Sequence, residues 1–180
     1  MTDQTPTEQA VTAWARLIRA RQLIVAAVEK DIKAAGLPPL EWYDVLLELS
    51  RAPQGALRPF ELEDRLLLAQ YNLSRLVDRL QQAGLVEKRA CPSDGRGLVL
   101  VITEAGRELR RRIWPAYAAA IERHLGSKLR PGDAEVLGDI LARLVDPKFG
   151  AACHTVSGEI VEARQAESTE PTAAAPRRRA

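Results

Sequence analysis

Apolar residues recur at helical spacing over most of the chain between residues 8 and 147. In the first run they lie three or four positions apart, or at the sum of those steps, which places them on one face of a helix. They are Val11, Trp14, Ile18, Val25, Val28 and Ile32. The run stops at Gly36, Pro38 and Pro39, so the pattern predicts one long helix over roughly 8–35.

Three shorter helical patterns follow the long one. The first covers 40–51. The second begins at Pro59, because proline is tolerated in a first helical turn, and carries acidic residues near its N-terminus, so we predict a helix over about 59–66. The third is predicted over about 70–83, with Gly84 at the position that ends a helix.

The helix predicted over 70–83 has one apolar and one polar face. Its apolar stripe contains Leu73, Leu76, Val77 and Leu80. The residues that face elsewhere are Asn72, Ser74, Arg75, Asp78 and Arg79. Such a helix packs on a core with one face and leaves polar side chains available on the other.

After Gly84 the helical spacing of apolar residues ends, and the pattern of apolar and polar residues predicts a β-hairpin. Residues 85–89 and 98–102 are short β-prone runs, and the stretch 90–97 between them, rich in Pro, Ser, Asp and Gly, predicts a loop. Thr103 follows as the N-cap of a long helix. A last helix is predicted from near Pro131.

This order of elements predicts the fold class. A short helix, a tight turn and a second helix with exposed Asn, Ser and Arg form a helix-turn-helix, and a hairpin directly after it makes the motif winged. We therefore expect a mainly α protein with a small β-hairpin wing, in one domain over 8–147. Few large apolar residues occur in 150–180, so we expect a flexible tail there.

The distribution of charge along the chain is more informative about function than the overall composition. The chain has 180 residues, of which 46% are hydrophobic, as in an ordinary globular domain. A net charge of +2 argues, by itself, against a polyanion-binding protein. Residues 75–112, however, contain nine basic and five acidic side chains, whereas 29–64 contain four and eight. The cationic segment coincides with the predicted helix and hairpin.

Several other classes of protein are not expected. No apolar run approaches the ~18 residues of a membrane span and the N-terminus has no signal-peptide character, so we expect a cytoplasmic protein. Cys91 and Cys153 are too few for a disulfide framework and lack metal-ligand spacing, and His124 and His154 stand apart from any ligand cluster. Without a catalytic triad, phosphate loop or carboxylate pair, no cofactor, metal or enzyme activity is expected.

Four short motifs between residues 72 and 106 resemble the MarR family of bacterial transcriptional regulators. They are Asn72-Leu-Ser-Arg-Leu-Val-Asp-Arg-Leu80, Ala83-Gly84-Leu85-Val86, Asp94-x-Arg96 and Leu100-x-Ile102-Thr103-x-x-Gly106. The order and length of the flanking helices are also similar, so the resemblance covers about 8–147. It implies a winged helix-turn-helix over about 55–104 and dimerisation helices over about 8–35 and 106–146.

The chemistry of DNA reading assigns roles to individual residues. Side chains in the first turns of a recognition helix reach base edges in the major groove, and those of this helix are Tyr71, Asn72, Ser74 and Arg75. Arg79, one turn further on, is expected to contact phosphate. Asn72 and Ser74 have a plainer alternative as ordinary residues of a helix N-terminus.

The hairpin supplies the remaining DNA contacts. Arg96 at its tip is expected to enter a minor groove, where the negative potential attracts Arg. The resemblance implies that Asp94 anchors the wing through a nearby Arg, for which Arg79 and Arg89 are candidates. Many relatives carry a second basic residue beside Arg96, but glycines flank it here, so we expect one fewer phosphate contact.

The resemblance also implies a two-fold homodimer. One short helix in one groove gives weak specificity, and two half-sites increase it sharply. We therefore expect double-stranded DNA with a pseudo-palindromic operator, whose half-site centres lie one helical turn, about 10 bp, apart.

Relatives often bind aromatic anions between the dimerisation and reading regions. Within 8–147, five aromatic residues fall outside the winged-helix segment: Trp14, Trp42, Tyr43, Trp114 and Tyr117. Our candidates for binding a small aromatic or anionic effector are Trp14, Trp42 and Asp44, with Arg16 or Arg51 as partners for a ligand carboxylate. The alternative is that these aromatic residues are ordinary core. Cys91 is either a redox-sensitive residue of the wing or an incidental thiol.

Together these expectations describe a ligand-responsive homodimeric regulator that represses by occluding promoter DNA. The rival hypothesis is a winged-helix module that docks a protein partner and does not read DNA.

Overall fold

The computed structural model describes residues 5–66, 73–91 and 94–145, and for 91 and 94–96 it describes the backbone. Tyr71, Asn72 and the predicted tail lie outside the described residues. The chain divides into two units, one ending at Ala134 and one beginning at Glu135, and each is described separately below.

The described part of the chain contains six α-helices, a three-stranded sheet and two short 3₁₀-helices, Pro53–Gly55 and Gly126–Lys128. The helices are α1 (Glu8–Ala34), α2 (Leu40–Arg51), α3 (Pro59–Arg65), α4 (Leu73–Gln82), α5 (Glu104–His124) and α6 (Asp133–Ala142). The strands are β1 (Ala56–Leu57), β2 (Val86–Cys91) and β3 (Asp94–Ile102). The mainly α fold with a hairpin wing is thereby confirmed, and α6 begins two residues later than the sequence predicted.

The hairpin is longer than predicted. The loop expected over 90–97 is wrong in its extent, because Ala90 pairs with Leu98 and Cys91 with Asp94 across the antiparallel ladder. Glycine and aspartate are depleted in strands, but hydrogen bonds from a neighbouring strand outweigh that weak preference. The pairing register shifts between Ala90 and Cys91, as at a β-bulge.

A third strand, which the sequence analysis missed, lies on the other edge of β3. Ala56 and Leu57 pair antiparallel with Val101 and Leu100, so the sheet order is β1-β3-β2. Two residues carry no detectable alternation pattern, and they become a strand because β3 offers them an unpaired edge. This strand ties the start of α3 to the base of the wing.

Local capping explains where several helices start and stop. Thr7 Oγ1 accepts a hydrogen bond from the backbone N–H of Ala10 at 3.2 Å and so caps α1. After α4, Gly84 adopts a left-handed conformation with φ +72°, and the N–H of Leu85 donates to the carbonyl of Leu80 at 2.9 Å. This is a Schellman-type end, and it confirms the role predicted for Gly84.

The core of the first unit forms around α2. Its fully buried side chains come from five helices and all three strands, among them Ile32, Tyr43, Leu46, Leu62, Leu80 and Ile113. From α1, only the C-terminal part contributes, through Val28 and Ile32. That part is also joined to the end of α5, where Asp31 Oδ2 lies 2.9 Å from His124 Nε2. In the second unit, the described residues of α6 are exposed or half-buried, and Val136 and Ile140 are exposed.

Candidate nucleic-acid interface

Helix α4 presents a polar face to solvent. Leu76, Val77 and Leu80 are buried, as the predicted apolar stripe requires. The exposed residues on the other face include Ser74, Arg75, Asp78 and Arg79. Ser74 and Arg75 stand in the first turn of α4, and Arg75 forms no ion pair with a described residue.

Most other cations near α4 are paired within the chain. Arg79 Nη2 lies 2.8 Å from Oε1 of Glu41 on α2. Arg89 Nη2 lies 2.6 Å from Oε2 of Glu87 on the same strand. A third ion pair joins Lys88 on β2 to Asp78 on α4. Of the four basic side chains described between 73 and 90, three have a carboxylate partner.

These ion pairs differ in whether the sequence alone could have predicted them. Glu87 and Arg89 are two positions apart on a predicted strand and therefore share a face, so that pair was open to prediction. Glu41 precedes Arg79 by 38 positions and belongs to another helix. No local pattern connects those two residues, and the sequence analysis missed Glu41.

The wing anchor implied by the family stays a prediction. Asp94 and Arg96 lie at the start of β3. The two arginines considered as partners for Asp94 each already have a carboxylate, Glu41 for Arg79 and Glu87 for Arg89. An anchor to Asp94 would therefore have to share or exchange one of these guanidinium groups.

One junction holds the recognition helix, the wing and α5 together. The hydroxyl of Thr103 donates to the carbonyl of Gly84 at 2.7 Å and accepts the N–H of Gly106 at 3.1 Å. The N–H of Thr103 donates to the carbonyl of Leu85 at 3.1 Å. A Cβ on Gly106 would lie 2.4 Å from that same carbonyl oxygen, so a side chain there would force the elements apart.

A second feature of interest is an aromatic cluster where α2 meets α5. The ring centroid of Tyr43 lies 6.2 Å from that of Trp114, in a stacked arrangement, and 5.0 Å from that of Tyr117, edge to face. These rings belong to the group for which the sequence left open a role as ordinary core. Tyr43 is fully buried, whereas Trp114 and Tyr117 are half-buried.

The carboxyl group of Asp44 lies beside this cluster. Burial raises its pKa to about 7, and the carboxylates of Glu48 and Glu41 add to the rise. Burial also raises the pKa of Tyr117 to about 12, with a further contribution from the charge of Asp44. No hydrogen bond or ion pair joins Asp44 to another described residue.

The effector candidates come from two helices, α1 and α2. The indole Nε1 of Trp42, two positions before Asp44 in α2, is buried and has no hydrogen-bond partner among the described residues. Trp14 is 65% exposed on α1, outside the ring contacts of the described aromatic residues. Arg16 is exposed on α1, and Arg51 Nη1 lies 3.5 Å from Glu48 Oε1.

In the described ranges, no group of three or more His, Cys, Asp or Glu side chains has an arrangement that could hold a metal ion. No helix within 5–66, 73–91 or 94–145 is long and apolar enough to cross a membrane.

A short helix, a second helix with an exposed polar face and an adjoining β-hairpin define a winged helix-turn-helix protein of the DNA-binding class. The comparisons with known proteins agree. A model described as the MarR family matches residues 35–97. The HTH-type transcriptional regulator MhqR of Bacillus subtilis (strain 168) is 30% identical over 138 residues, which cover 77% of this chain and 92% of that protein. The chain belongs to the MarR family of transcriptional regulators.

Two similar solved structures come from Streptomyces coelicolor. The MarR family transcriptional regulator AbsC is 30% identical, has a TM-score of 0.67, and is matched over 78% of this chain and 95% of its own. Sco3205, a MarR family transcriptional regulator whose structure was determined in complex with DNA, is 28% identical with a TM-score of 0.69. That match covers 78% of this chain and 88% of Sco3205.

Proposed function

We propose that this regulator is a cytoplasmic homodimer that binds a pseudo-palindromic DNA operator and represses transcription until a small molecule releases it. The observation that carries the proposal is the exposed polar face of α4, where Arg75 has no ion-pair partner among the described residues. An unpaired guanidinium in the first turn of such a helix suits bidentate hydrogen bonding to a guanine edge.

The roles of the DNA-binding residues follow from their positions. Arg75 reads a base edge, together with Ser74 and the preceding Tyr71 and Asn72. Arg79, one turn further along α4, contacts a backbone phosphate. Arg96, at the end of the hairpin, enters the adjacent minor groove, and Asp94 orients the wing. Arg89, on the outer face of β2, adds a phosphate contact. The structure of Sco3205, determined in complex with DNA, supports DNA binding as a use of the shared fold.

The apolar face of α1 supports the homodimer. Val11, Trp14 and Ile18 lie on the same side of the helix as Val28 and Ile32 at 100° per residue. The last two are buried in their own chain, whereas the first three are 51%, 65% and 41% exposed. One continuous stripe is thus covered at its C-terminal end and open at its N-terminal end, and a second copy of the chain would cover the open part. The exposed apolar residues of α6 serve the same purpose.

The surroundings of Asp44 support an effector site. With a pKa of about 7 this carboxyl is partly protonated at neutral pH, so it can donate a hydrogen bond to an anionic ligand that a charged carboxylate would repel. The buried Nε1 of Trp42 is a second donor that lacks a described partner. Trp14 would join them from α1, and Arg16 or Arg51 would pair with a carboxylate of the ligand. Titration of aromatic acids against the DNA complex tests this site.

The DNA-binding role is tested by selecting bound duplexes from a random library and then comparing two variants. Arg75→Ala is expected to lose about 1–3 kcal/mol on the selected duplex and much less on mixed-sequence DNA, because a base contact is lost. Arg96→Ala is expected to weaken both more evenly. Arg19→Ala, an exposed residue of α1, is the matched control and should bind as the wild type does.

Two outcomes would contradict the proposal. Equal losses on selected and mixed-sequence DNA from Arg75→Ala would remove its role in reading bases. Failure of the wild type to bind any duplex, at low salt as well as high, would favour a winged-helix module that docks a protein partner.

A further inference from the structure

The ion pair between Arg79 and Glu41 joins the DNA-reading helix to a different element of the fold. The two side chains are 52% and 36% exposed, so both can be reached from solvent. The hydrogen bond from Arg79 Nη2 to Glu41 Oε1 is 2.8 Å long, within the range of a charge-assisted bond. The pair belongs to the exposed rim of α4, where a DNA backbone would pass.

A DNA phosphate and the Glu41 carboxylate would both bind the guanidinium group of Arg79. Arg75 and Arg79 are four positions apart and lie on one face of α4, about 6 Å apart along the axis. With Arg75 in the major groove, Arg79 lies beside the sugar–phosphate backbone. Carboxylates and phosphates both bind a guanidinium through paired N–H donors, and they repel each other when they share one.

We infer that Glu41 competes with a DNA phosphate for Arg79 and thereby lowers the affinity of the protein for DNA of any sequence. The inference rests on the proposed DNA-binding function and adds a residue outside the reading helix that controls it. Phosphate contacts supply the sequence-independent part of binding. Glu41 therefore restrains that part, while the base contact of Arg75 is left unchanged.

The test is a double-mutant cycle between Glu41 and Arg79. Glu41→Gln is expected to tighten binding about two- to fivefold on a mixed-sequence duplex of about 20 base pairs, the range set by the strength of exposed ion pairs. The same change in an Arg79→Ala background is expected to have no effect, because the contested group is absent. Glu41→Ala should act in the same direction as Glu41→Gln.

Glu29→Gln is the control for the effect of a change in net charge alone. This variant makes the same one-unit change at an exposed residue of α1 that forms no ion pair with a described residue, and it should bind DNA as the wild type does. Thermal denaturation of every variant, followed by circular dichroism, confirms that the protein measured is folded.

The possible failures are distinguishable. If the wild type binds duplex DNA and Glu41→Gln binds equally or more weakly, the inference is wrong and the proposed function stands. An equal gain in the Arg79→Ala background would show simple repulsion between Glu41 and DNA, which also overturns the competition. If the wild type binds no duplex under any condition, the proposed function and the inference both fall.

Discussion

Thr103 and Gly106 are three positions apart, and their contacts determine how closely three elements approach. The hydroxyl of Thr103 bridges the end of α4 and the first turn of α5. Gly106 allows the carbonyl of Leu85 to come within the space that a Cβ would occupy. The sequence motif Thr-x-x-Gly therefore has a packing explanation, in which one residue caps a helix and the other leaves room for a neighbouring backbone.

Gly106→Ala should destabilise the fold by about 1–3 kcal/mol, as overpacking of a tight contact does. The added Cβ would meet the Leu85 carbonyl at 2.4 Å and Ile102 Cγ1 at 2.9 Å, and a backbone atom cannot move away as a flexible side chain can. Urea denaturation at fixed protein concentration measures the change.

Gly138→Ala is the matched control for that substitution. Gly138 is also helical, and a Cβ there meets nothing within 4 Å. The variant should be as stable as the wild type or more stable, by up to about 1 kcal/mol, because alanine favours the helix. A Gly106→Ala protein whose urea midpoint equals that of the wild type would show that the junction can expand freely.

At the scale of elements, α1 is a helix of two parts. Its C-terminal part packs on its own chain and is tied to α5 through Asp31 and His124. The residues of α1 up to Leu23 are exposed, and burial in this helix begins after them. The apolar stripe on these first turns is therefore not covered by the described residues of its own chain. In a helix of 27 residues, this open stripe is the surface that the proposed homodimer would cover.

Ile18→Glu is expected to convert the protein to monomers and to abolish tight operator binding. A charge in the centre of the open stripe cannot be desolvated without a partner, so the dimer loses its buried contact. Sedimentation velocity at micromolar concentration measures the change.

Ala20→Glu is the control, because it places the same side chain on the opposite face of α1. It should stay dimeric and bind the operator. If Ile18→Glu sediments as the wild type does, the proposed interface does not include this stripe.

At the scale of the whole molecule, the small net charge conceals opposite charges that meet. The acidic segment 29–64 contributes Glu41, and the basic segment 75–112 contributes Arg79, and the fold brings them into contact. The total of +2 is a sum over the whole chain, and it does not show that opposite charges are paired at the surface that the proposal assigns to DNA. Affinity should depend on the fit of two reading helices to the groove as well as on bulk attraction.

A dimer with two reading helices predicts a strict operator spacing. Insertion of a half turn, about 5 bp, between the half-sites of a selected operator turns the second half-site to the opposite face of the duplex. Affinity should then fall to that of a duplex with a single half-site, as measured by fluorescence anisotropy. If the affinity is the same before and after the insertion, each protomer binds its half-site independently.

The features that depend on neighbours along the chain could be predicted from the sequence. The helices, the cap at Thr103, the helix end at Gly84 and the polar face of α4 all follow from periodicity and from local hydrogen bonds, and the structure confirms them. The family signature could be recognised because its motifs are short and contiguous.

The features that join distant residues could not be predicted, because they depend on how the elements pack. Strand β1 exists because β3 offers it an edge, and the hairpin extends through Ala90 because its partner strand pairs with it. Glu41 meets Arg79 across 38 positions, and Asp44 acquires its raised pKa from a buried environment. Each of these features depends on which surfaces pack together. Contacts between residues far apart in the chain produce no periodic pattern in the sequence.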